Sequence, residues 1–293
     1  MQNIETVLHM DFALVVRYQE EAVRELTGRL IAGGDFMSLE VKPRSIPFGL
    51  RIKYLFIASV QSVSVIVPTW NEEKYLPRCL ASLAKQPCKE QFEVIVVDGG
   101  STDRTIDIAR KYADRVLIKP GEPVGAARNI GAKEANGGIL AFIDADTIAC
   151  GNWLDQITHG LGSNSRAVGV TGPTLPYEGT QVDELLYHIA TGWVQRLSFR
   201  LGFPHVAGFN CAYRKKAFWD AGGFDEDRDL SEDVVLSLRI RHEGQIVFNP
   251  RMVAFTSLRR IKKYGYPYLT TYYLINGITL LLFERSLAYP KIR

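Results

Sequence analysis

Residues 139–146 have the sequence Ile139-Leu140-Ala141-Phe142-Ile143-Asp144-Ala145-Asp146. A run of five apolar residues before a turn is typical of a strand that is buried on both faces of a parallel sheet. The two aspartates cannot share that burial, because a carboxylate leaves water only when it is paired or bound to a metal. We therefore predict that Asp144 and Asp146 lie at the carboxyl edge of the sheet, where open α/β folds bind ligands. Two hard oxygen donors in that position suit Mg²⁺ or Mn²⁺, and a solvated turn is the alternative.

Strands and helices alternate from residue 62 to residue 143, which is typical of βαβ units with a parallel sheet. The predicted strands are 63–67, 92–97, 116–118 and 139–143. Helices follow the first three strands, and the predicted caps are Thr69 or Asn71 for the first helix and Ser101 or Thr102 for the second. Because right-handed crossovers bring the ends of such strands to one edge, we predict a single cleft there. Beyond residue 150 the alternation is looser, with predicted strands at 168–170 and 208–214 and predicted helices at 182–199, 216–221 and 231–242.

The composition is that of an ordinary globular protein, with 46% hydrophobic and 23% charged residues in a chain of 293. We predict a helical appendage of unknown role at 1–60, a principal domain at 61–258 and a helical C-terminal segment at 259–293. The four cysteines have neither metal-ligand nor disulfide spacing, which favours a cytosolic compartment. Acidic residues near the N-terminus argue against a secretory signal peptide.

The C-terminal residues 251–293 are strongly basic, with eight lysines and arginines and one acidic residue. Residues 264–283 carry no charge but include five tyrosines. Basic and aromatic side chains together are typical of helices that lie at a membrane interface. We therefore predict a peripheral protein on the cytoplasmic face of a membrane. A C-terminal helix packed on the principal domain is the alternative, and a nucleic-acid partner is not expected.

Six short motifs follow one another along the chain. They are Val67-Pro68-Thr69-Trp70-Asn71-Glu72, Val97-Asp98-Gly99-Gly100-Ser101-Thr102-Asp103, Gly125-Ala126-Ala127-Arg128-Asn129, Asp144-Ala145-Asp146, Gly222-Gly223-Phe224-Asp225 and Ser231-Glu232-Asp233. In this order and at these separations they resemble the motifs of family 2 glycosyltransferases, which have the GT-A fold. The resemblance covers residues 62–260, about two thirds of the chain. It implies an α/β fold in which helices flank a mostly parallel central sheet, with helical appendages at both ends.

The resemblance also implies an activity, which is transfer of a hexose from a nucleotide-diphosphate sugar to an acceptor hydroxyl or phosphate with inversion. Such a reaction needs positive charge at the diphosphate leaving group and a base at the acceptor. A divalent metal ion, Mn²⁺ or Mg²⁺, meets the first need in a metal-assisted single displacement. The chain lacks the Gln-x-x-Arg-Trp motif of processive members, so one sugar per encounter is expected. If the C-terminal segment lies on a membrane, the expected acceptor is a polyprenyl-phosphate-linked molecule or its glycan.

The acidic residues of two motifs are the predicted metal and catalytic residues. Asp146 is the predicted metal ligand, and Asp144 contacts the metal shell or the ribose. Asp233 is the predicted base, placed at a helix start where the helix dipole favours a charged carboxylate. Glu232 holds an acceptor hydroxyl. Plain helix capping is the alternative for residues 231–233.

The other predicted site residues bind the donor. By resemblance, Asp98 binds the nucleotide base and Glu72 lies nearby on the base or ribose; turn or cap duty is the alternative for both. Arg128 approaches the diphosphate, and a surface ion pair is its alternative. Arg259 or Arg260 closes over the diphosphate. The remaining predicted substrate-binding residues are Pro68, Thr69, Asn71, Ser101 and Asn210.

Two rival functions use the same sequence features. A sugar-1-phosphate nucleotidyltransferase shares the α/β design, but it needs a glycine-rich basic loop after the first strand, and residues 68–72 are not such a loop. A non-catalytic membrane scaffold that retains a sugar-nucleotide cleft belongs to a different class. Release of free nucleoside diphosphate in the presence of Mn²⁺ distinguishes an enzyme from a scaffold.

Overall fold

The computed structural model describes residues 62–87, 92–200, 202, 204–228 and 231–283. The chain divides between Val60 and Gln61 into two units, and the second carries all of the described residues. The helical appendage that the sequence predicts at 1–60 lies outside the described residues.

Seven strands form the central sheet in the order β3-β2-β1-β4-β8-β6-β9. Their bounds are β1 Val63–Thr69, β2 Phe92–Asp98, β3 Arg115–Ile118, β4 Ile139–Phe142, β6 Ala167–Thr171, β8 Cys211–Arg214 and β9 Gln245–Phe248. The first four strands are parallel to one another, β8 is antiparallel to both β4 and β6, and β9 is parallel to β6. This mixed but mostly parallel α/β sheet confirms the predicted fold class.

Helices cover both faces of this sheet. Their bounds are α1 Leu76–Ala84, α2 Thr105–Tyr112, α3 Val124–Glu134, α4 Trp153–Gly162, α5 Gln181–Tyr187, α6 Val194–Arg200, α7 Lys215–Asp220, α8 Glu232–Ile240, α9 Arg259–Tyr264 and α10 Tyr266–Phe283, with a π-helical turn at His188–Trp193 between α5 and α6. The predicted caps of the first two helices are wrong, because α1 begins after Tyr75 and α2 after Arg104, without a side-chain cap on either. The two loops that hold the expected capping residues instead bond to each other.

Alternate residues of β1 point to two separate apolar clusters. Val65 and Val67 pack in a cluster with residues of α1 and α4, including the fully buried Trp153. Ile66 packs on the other face with residues of α3, α7 and α8. In this second cluster Phe142 of β4 lies with its ring centroid 5.5 Å from that of Phe218. The alternation of a buried strand therefore fixes a three-layer arrangement with the sheet in the middle.

Helix α3 approaches β1 so closely that Gly131 has no room for a side chain. A Cβ atom there would lie 2.5 Å from Cγ2 of Ile66 and 3.1 Å from Cγ2 of Val97. We expect Gly131→Ala to lower the free energy of unfolding by about 1–3 kcal/mol, because overpacking a rigid strand outweighs the gain in helix propensity. Urea denaturation measures this change. Gly162→Ala at the end of α4 is the matched control, since nothing lies within 4 Å of its added Cβ; equal losses in the two variants would contradict the prediction.

A second sheet of three short strands joins distant parts of the chain. Strand β10 (Ala254–Thr256) lies between β5 (Thr147–Ala149) and β7 (Thr174–Pro176), antiparallel to the first and parallel to the second. Directly after β10, the amide N of Ser257 donates to the carbonyl oxygen of Asp146 at 3.2 Å. The small sheet therefore brings the start of α9 to the Asp-x-Asp motif, although none of its strands was predicted.

The C-terminal segment is helical, and Gly265, with φ of +78°, separates α9 from α10. Helix α10 contacts the principal domain: Leu269 is buried, and the hydroxyl of Tyr266 donates to the carbonyl oxygen of Asp183 at 2.8 Å. These contacts favour the alternative in which the segment packs on the domain. Within the described residues, no helix combines the length and the apolar character that crossing a membrane requires.

Candidate active site

The acidic motif after β4 lies where its sequence predicts. Because β4 and β2 both pair in parallel with β1, Asp144 and Asp146 follow β4 at the same edge of the sheet where Thr69 and Asp98 end their strands. The side chain of Asp146 is 12% exposed and that of Asp144 is 25% exposed. Neither value is that of a fully solvated turn, which was the alternative for this motif.

Asp98 holds the turn that follows β2. Its Oδ1 accepts from the main-chain amides of Gly100 and Ser101 at 2.9 and 2.8 Å. Its Oδ2 accepts from the hydroxyls of Ser101 and Thr69 at 2.6 and 3.1 Å. Asp98 is fully buried under these four donors. The structure therefore supports a role for Asp98 in stabilising the turn, which was the alternative for this residue. The contact of Asp98 with a nucleotide base stays a prediction.

The loops after β1 and β2 bond to each other through Asn71. This residue has a left-handed φ of +55°, its amide donates to Ser101 Oγ at 2.7 Å, and its Oδ1 accepts from the Thr102 amide at 2.9 Å. Pro68 lies half-buried next to the buried Thr69. The structure thus places the predicted donor-binding residues Pro68, Thr69, Asn71 and Ser101 together at one edge.

Arg259 links the first loop to the Asp-x-Asp motif. Its Nη1 and Nη2 donate to the two carboxylate oxygens of Glu72 at 2.8 and 2.7 Å, and its Nε forms an ion pair with Asp146 Oδ2 at 2.9 Å. The guanidinium also lies over the ring of Tyr75, 5.0 Å from its centroid. Burial raises the pKa of both carboxyls, Glu72 and Asp146, and the charge of Arg259 opposes this rise. The charge of Arg260 acts on Asp146 in the same direction.

Arg128 is buried between Asp144, which follows β4, and Glu232 at the start of α8. Its Nη2 donates to Asp144 Oδ1 at 2.8 Å and its Nη1 to Glu232 Oε1 at 2.5 Å, while only 3% of the residue is exposed. Burial opposes its charge, but Asp144 and Glu232 outweigh burial and raise the pKa of the guanidinium. Arg128 therefore forms an ion pair, which was the alternative to its predicted approach to the diphosphate. This ion pair is buried, however, and does not lie on the surface. Burial, followed by the negative charge of Asp233, raises the pKa of Glu232 to about 7, against the effect of Arg128.

Asp233 lies at the start of α8 next to this arginine. Its Oδ2 accepts from the amide of Gly208 at 2.8 Å, and its Oδ1 accepts from the amide of Val234 at 2.8 Å. A Cβ at Gly208 would lie 2.9 Å from Nη1 of Arg128 and 3.1 Å from Oδ2 of Asp233. Only a glycine lets the main chain come this close to both groups. No feature of the sequence distinguishes Gly208 from the other glycines of the chain, so its place in the site was not predictable.

Two predictions in this region disagree with the structure. Asn210 is fully buried, its Oδ1 accepts from the indole N–H of Trp153 at 2.8 Å, and its Nδ2 is shared among three main-chain carbonyls. These bonds use both ends of the amide, so Asn210 stabilises the core and is not a substrate-binding residue. Helix capping, the alternative for residues 231–233, is wrong for Ser231, whose side chain makes no cap bond to α8.

The residues present fit a divalent metal of the predicted kind. Within the ranges that the structure describes, no cluster of three or more His, Cys, Asp or Glu side chains could enclose a metal ion. Mg²⁺ and Mn²⁺, however, are bound in nucleotide enzymes by one or two carboxylates together with phosphates and water. Asp144 and Asp146 provide such a pair, and the guanidinium against Asp146 shows that a positive charge is accommodated there.

Solved structures of glycosyltransferases with the GT-A fold align with the chain, which shows that the chain has this fold. Mannosyltransferase PcManGT from Pyrobaculum calidifontis, in complex with GDP-Man and Mn²⁺, aligns with a TM-score of 0.60 at 17% identity and covers 97% of this chain and 76% of that one. The S. aureus TarS fragment 1-349, in complex with UDP-GlcNAc, aligns with a TM-score of 0.53 at 24% identity and covers 67% and 58%.

The sequence comparisons give the family. The sequence model of the protein family described as Glycosyl transferase family 2 matches residues 64–222. The chain therefore belongs to glycosyl transferase family 2. Validoxylamine A glucosyltransferase from Streptomyces hygroscopicus subsp. limoneus is 30% identical over 221 residues, which are 63% of this chain and 49% of that protein. The Staphylococcus aureus poly(ribitol-phosphate) beta-N-acetylglucosaminyltransferase TarS is 45% identical over 94 residues, 28% of this chain and 16% of that protein. The chain thus spans half or less of the length of these curated relatives.

Proposed function

We propose that this protein is an inverting, non-processive glycosyltransferase that moves a hexose from a nucleotide-diphosphate sugar to an acceptor hydroxyl or phosphate. One observation carries the proposal. Arg128 joins Asp144, on the donor side, to Glu232 and hence to Asp233, on the acceptor side, within one buried cluster. Residues suited to a leaving diphosphate and residues suited to an attacking hydroxyl therefore lie at one edge of the sheet.

The donor half comprises the ends of β1, β2 and β4. Asp144 and Asp146 would hold the divalent metal, Mn²⁺ or Mg²⁺, which when bound stabilises the negative charge that develops on the diphosphate. Glu72 and Asp98 lie on the side where we place the nucleoside. Arg259 already lies between Glu72 and Asp146, and from there it would donate to a diphosphate bound at the metal. The relatives solved with UDP-GlcNAc and with GDP-Man and Mn²⁺ support a nucleotide-sugar donor.

The acceptor half comprises the start of α8. Asp233 takes the proton of the acceptor hydroxyl while the acceptor oxygen bonds to the anomeric carbon and the bond from that carbon to the diphosphate oxygen breaks. The Gly208 amide orients the carboxylate of Asp233. Glu232, fixed by Arg128, holds the acceptor. Because one base serves one displacement and no protein nucleophile takes part, the configuration at the anomeric carbon inverts.

Nucleotide release tests this proposal. The full chain is incubated with Mn²⁺ and UDP-glucose, UDP-N-acetylglucosamine or GDP-mannose, and free nucleoside diphosphate is measured. We expect metal-dependent release from one of these donors. A scaffold would show a thermal shift with the donor but no release, and a sugar-1-phosphate nucleotidyltransferase would instead release pyrophosphate from a nucleoside triphosphate and a sugar-1-phosphate. Either result would contradict the proposal.

We further propose a peripheral position on the cytoplasmic face of a membrane, with a lipid-linked acceptor. Among the side chains that the structure describes on the stretch from α5 to α6, four large apolar ones are more than 45% exposed: Val182 at 63%, Leu185 at 59%, Ile189 at 50% and Leu197 at 56%. The bond from Tyr266 to Asp183 brings the start of α10, and hence the basic helix α9, next to α5. Apolar side chains beside lysines and arginines favour an anionic lipid interface.

Flotation with vesicles that contain anionic phospholipid tests the membrane proposal. We expect the wild type to float with the vesicles and the double variant Leu185→Glu, Ile189→Glu to float several-fold less, because two charges oppose burial of this surface among lipids. Tyr112→Glu is the matched control, since Tyr112 is a 52% exposed aromatic residue on α2. Equal flotation of all three proteins, or of none, would contradict the proposal.

A further inference from the structure

Ser231 has a backbone conformation that is rare for its residue type. Its φ of +65° and ψ of 20° lie in the left-handed region, which disfavours every residue with a Cβ. It immediately precedes Glu232 and Asp233, so its conformation sets the direction in which α8 begins. A serine before a helix ordinarily bonds to the first amides of that helix, but this serine makes no such bond.

The hydroxyl of Ser231 bonds instead to the C-terminal helix. Nδ2 of Asn276 in α10 donates to Ser231 Oγ at 2.7 Å, across 45 residues of sequence. Asn276 is 2% exposed and Ser231 is 9% exposed, so water does not replace this bond easily.

Three consecutive residues are thus held by three different elements. Ser231 bonds to α10, Glu232 to Arg128 of α3, and Asp233 to the loop before β8. Each of these bonds fixes one side chain at the start of α8. The bond from Asn276 is the one that comes from outside the segment matched by the family model, which ends at residue 222, and from outside the predicted principal domain.

We propose that Asn276 is a positioning residue for the Glu232–Asp233 pair, so that the C-terminal helix completes the catalytic unit. The proposal rests on the function proposed above for Asp233. Asn276 does not touch the reacting atoms; it stabilises the left-handed conformation of Ser231 and thereby the orientation of the two carboxylates. The donor residues lie at the ends of the parallel strands, so the loss of this bond acts on turnover and not on donor affinity.

Asn276→Ala in the full chain tests the proposal, with Mn²⁺ and UDP-glucose, UDP-N-acetylglucosamine or GDP-mannose as probes. We expect kcat for nucleotide release to fall about tenfold with KM for the donor unchanged. Adding Ser231→Gly should restore kcat, because glycine adopts a positive φ without strain and the hydroxyl that lost its partner is removed as well. Thr279→Ala is the matched control: Thr279 is one turn further along α10, is half-buried, and its hydroxyl donates to the carbonyl oxygen of Ile275 in the same helix.

Hydrogen exchange at the amides of α8 provides a readout that does not depend on activity. Asn276→Ala should speed exchange at residues 232–235, and the added Ser231→Gly should slow it again. Unchanged kcat and unchanged exchange in Asn276→Ala would overturn the proposal. A loss that Ser231→Gly does not reverse would also overturn it, since that result means general unpacking of α10. If wild type releases no nucleotide from any probe, the proposed function fails, and the exchange result still decides whether Asn276 positions α8.

Discussion

Asp233→Asn is expected to lower kcat by about 10² to 10⁴-fold, the range that a positioned general base contributes. The amide has the same shape as the carboxylate, but it cannot take a proton from an acceptor hydroxyl. It retains one oxygen to accept from Gly208 or Val234, so the start of α8 keeps most of its support. Donor binding should not change, because the ends of β1, β2 and β4 provide the donor contacts.

The measurement combines steady-state turnover with the dissociation constant of the nucleoside diphosphate in Mn²⁺. Asp220→Asn is the matched control, because this exposed carboxylate on α7 bonds to Lys216 away from the cleft. Normal turnover in Asp233→Asn would remove this residue from the mechanism. A parallel loss of nucleotide affinity would show that the variant had damaged the site more widely.

Asp146→Ala is expected to abolish metal-dependent nucleotide release, a loss of at least about 10²-fold, because a ligand to the metal that stabilises leaving-group charge is removed. The same change leaves Nε of Arg259 without its acidic partner, so the contact between α9 and the cleft weakens as well. Because the predicted metal ligand is lost, the nucleotide affinity should no longer depend on Mn²⁺. Calorimetry with UDP and with GDP, with and without Mn²⁺, measures this directly.

Two further variants separate these effects. Asp146→Asn keeps the size of the side chain and loses its charge, so we expect the same loss of Mn²⁺ dependence. Arg259→Ala removes the ion pair and leaves the carboxylate in place, so Mn²⁺ dependence should remain. If nucleotide binding in Asp146→Asn still strengthened with Mn²⁺ as it does in wild type, Asp146 would not be a metal ligand.

The first half of the central sheet is predictable because its strands are mostly apolar runs that end in polar turns. In β1 and β4, burial on both faces requires apolar residues at nearly every position, with Ser64 of β1 as an exception, and that pattern is visible in the sequence. The position of Asp98 and Asp144 at the same edge of the sheet follows from parallel strand order alone. The strands of the small sheet are each three residues long, too short for any periodic pattern, and so β5, β7 and β10 could not be predicted.

Partners of the site residues are harder to predict than the residues themselves. The motif that contains Arg128 marks it as functional, but its pairing with Glu232 joins residues 104 apart and depends on how α3 and α8 pack. The prediction that Asn210 binds substrate failed for a similar reason, since the burial of Asn210 and its contact with Trp153 follow from the fold and not from local sequence. Serine is a residue type that often caps helices, yet the left-handed backbone of Ser231 and its bond to Asn276 arise only when α10 is in place.

The central position of β10 has a consequence for how the protein is made. Thr147 in β5 lies beside Thr256 in β10, 109 residues later in the chain, and β7 has β10 as its neighbour in the same sheet. During synthesis, the loop that carries Asp144 and Asp146 therefore leaves the ribosome long before β10, the strand that holds this loop in place. Until then β5 and β7 expose unpaired edges, which other chains can bind. Polypeptides released before residue 254 should accordingly be prone to aggregation and be substrates for chaperones.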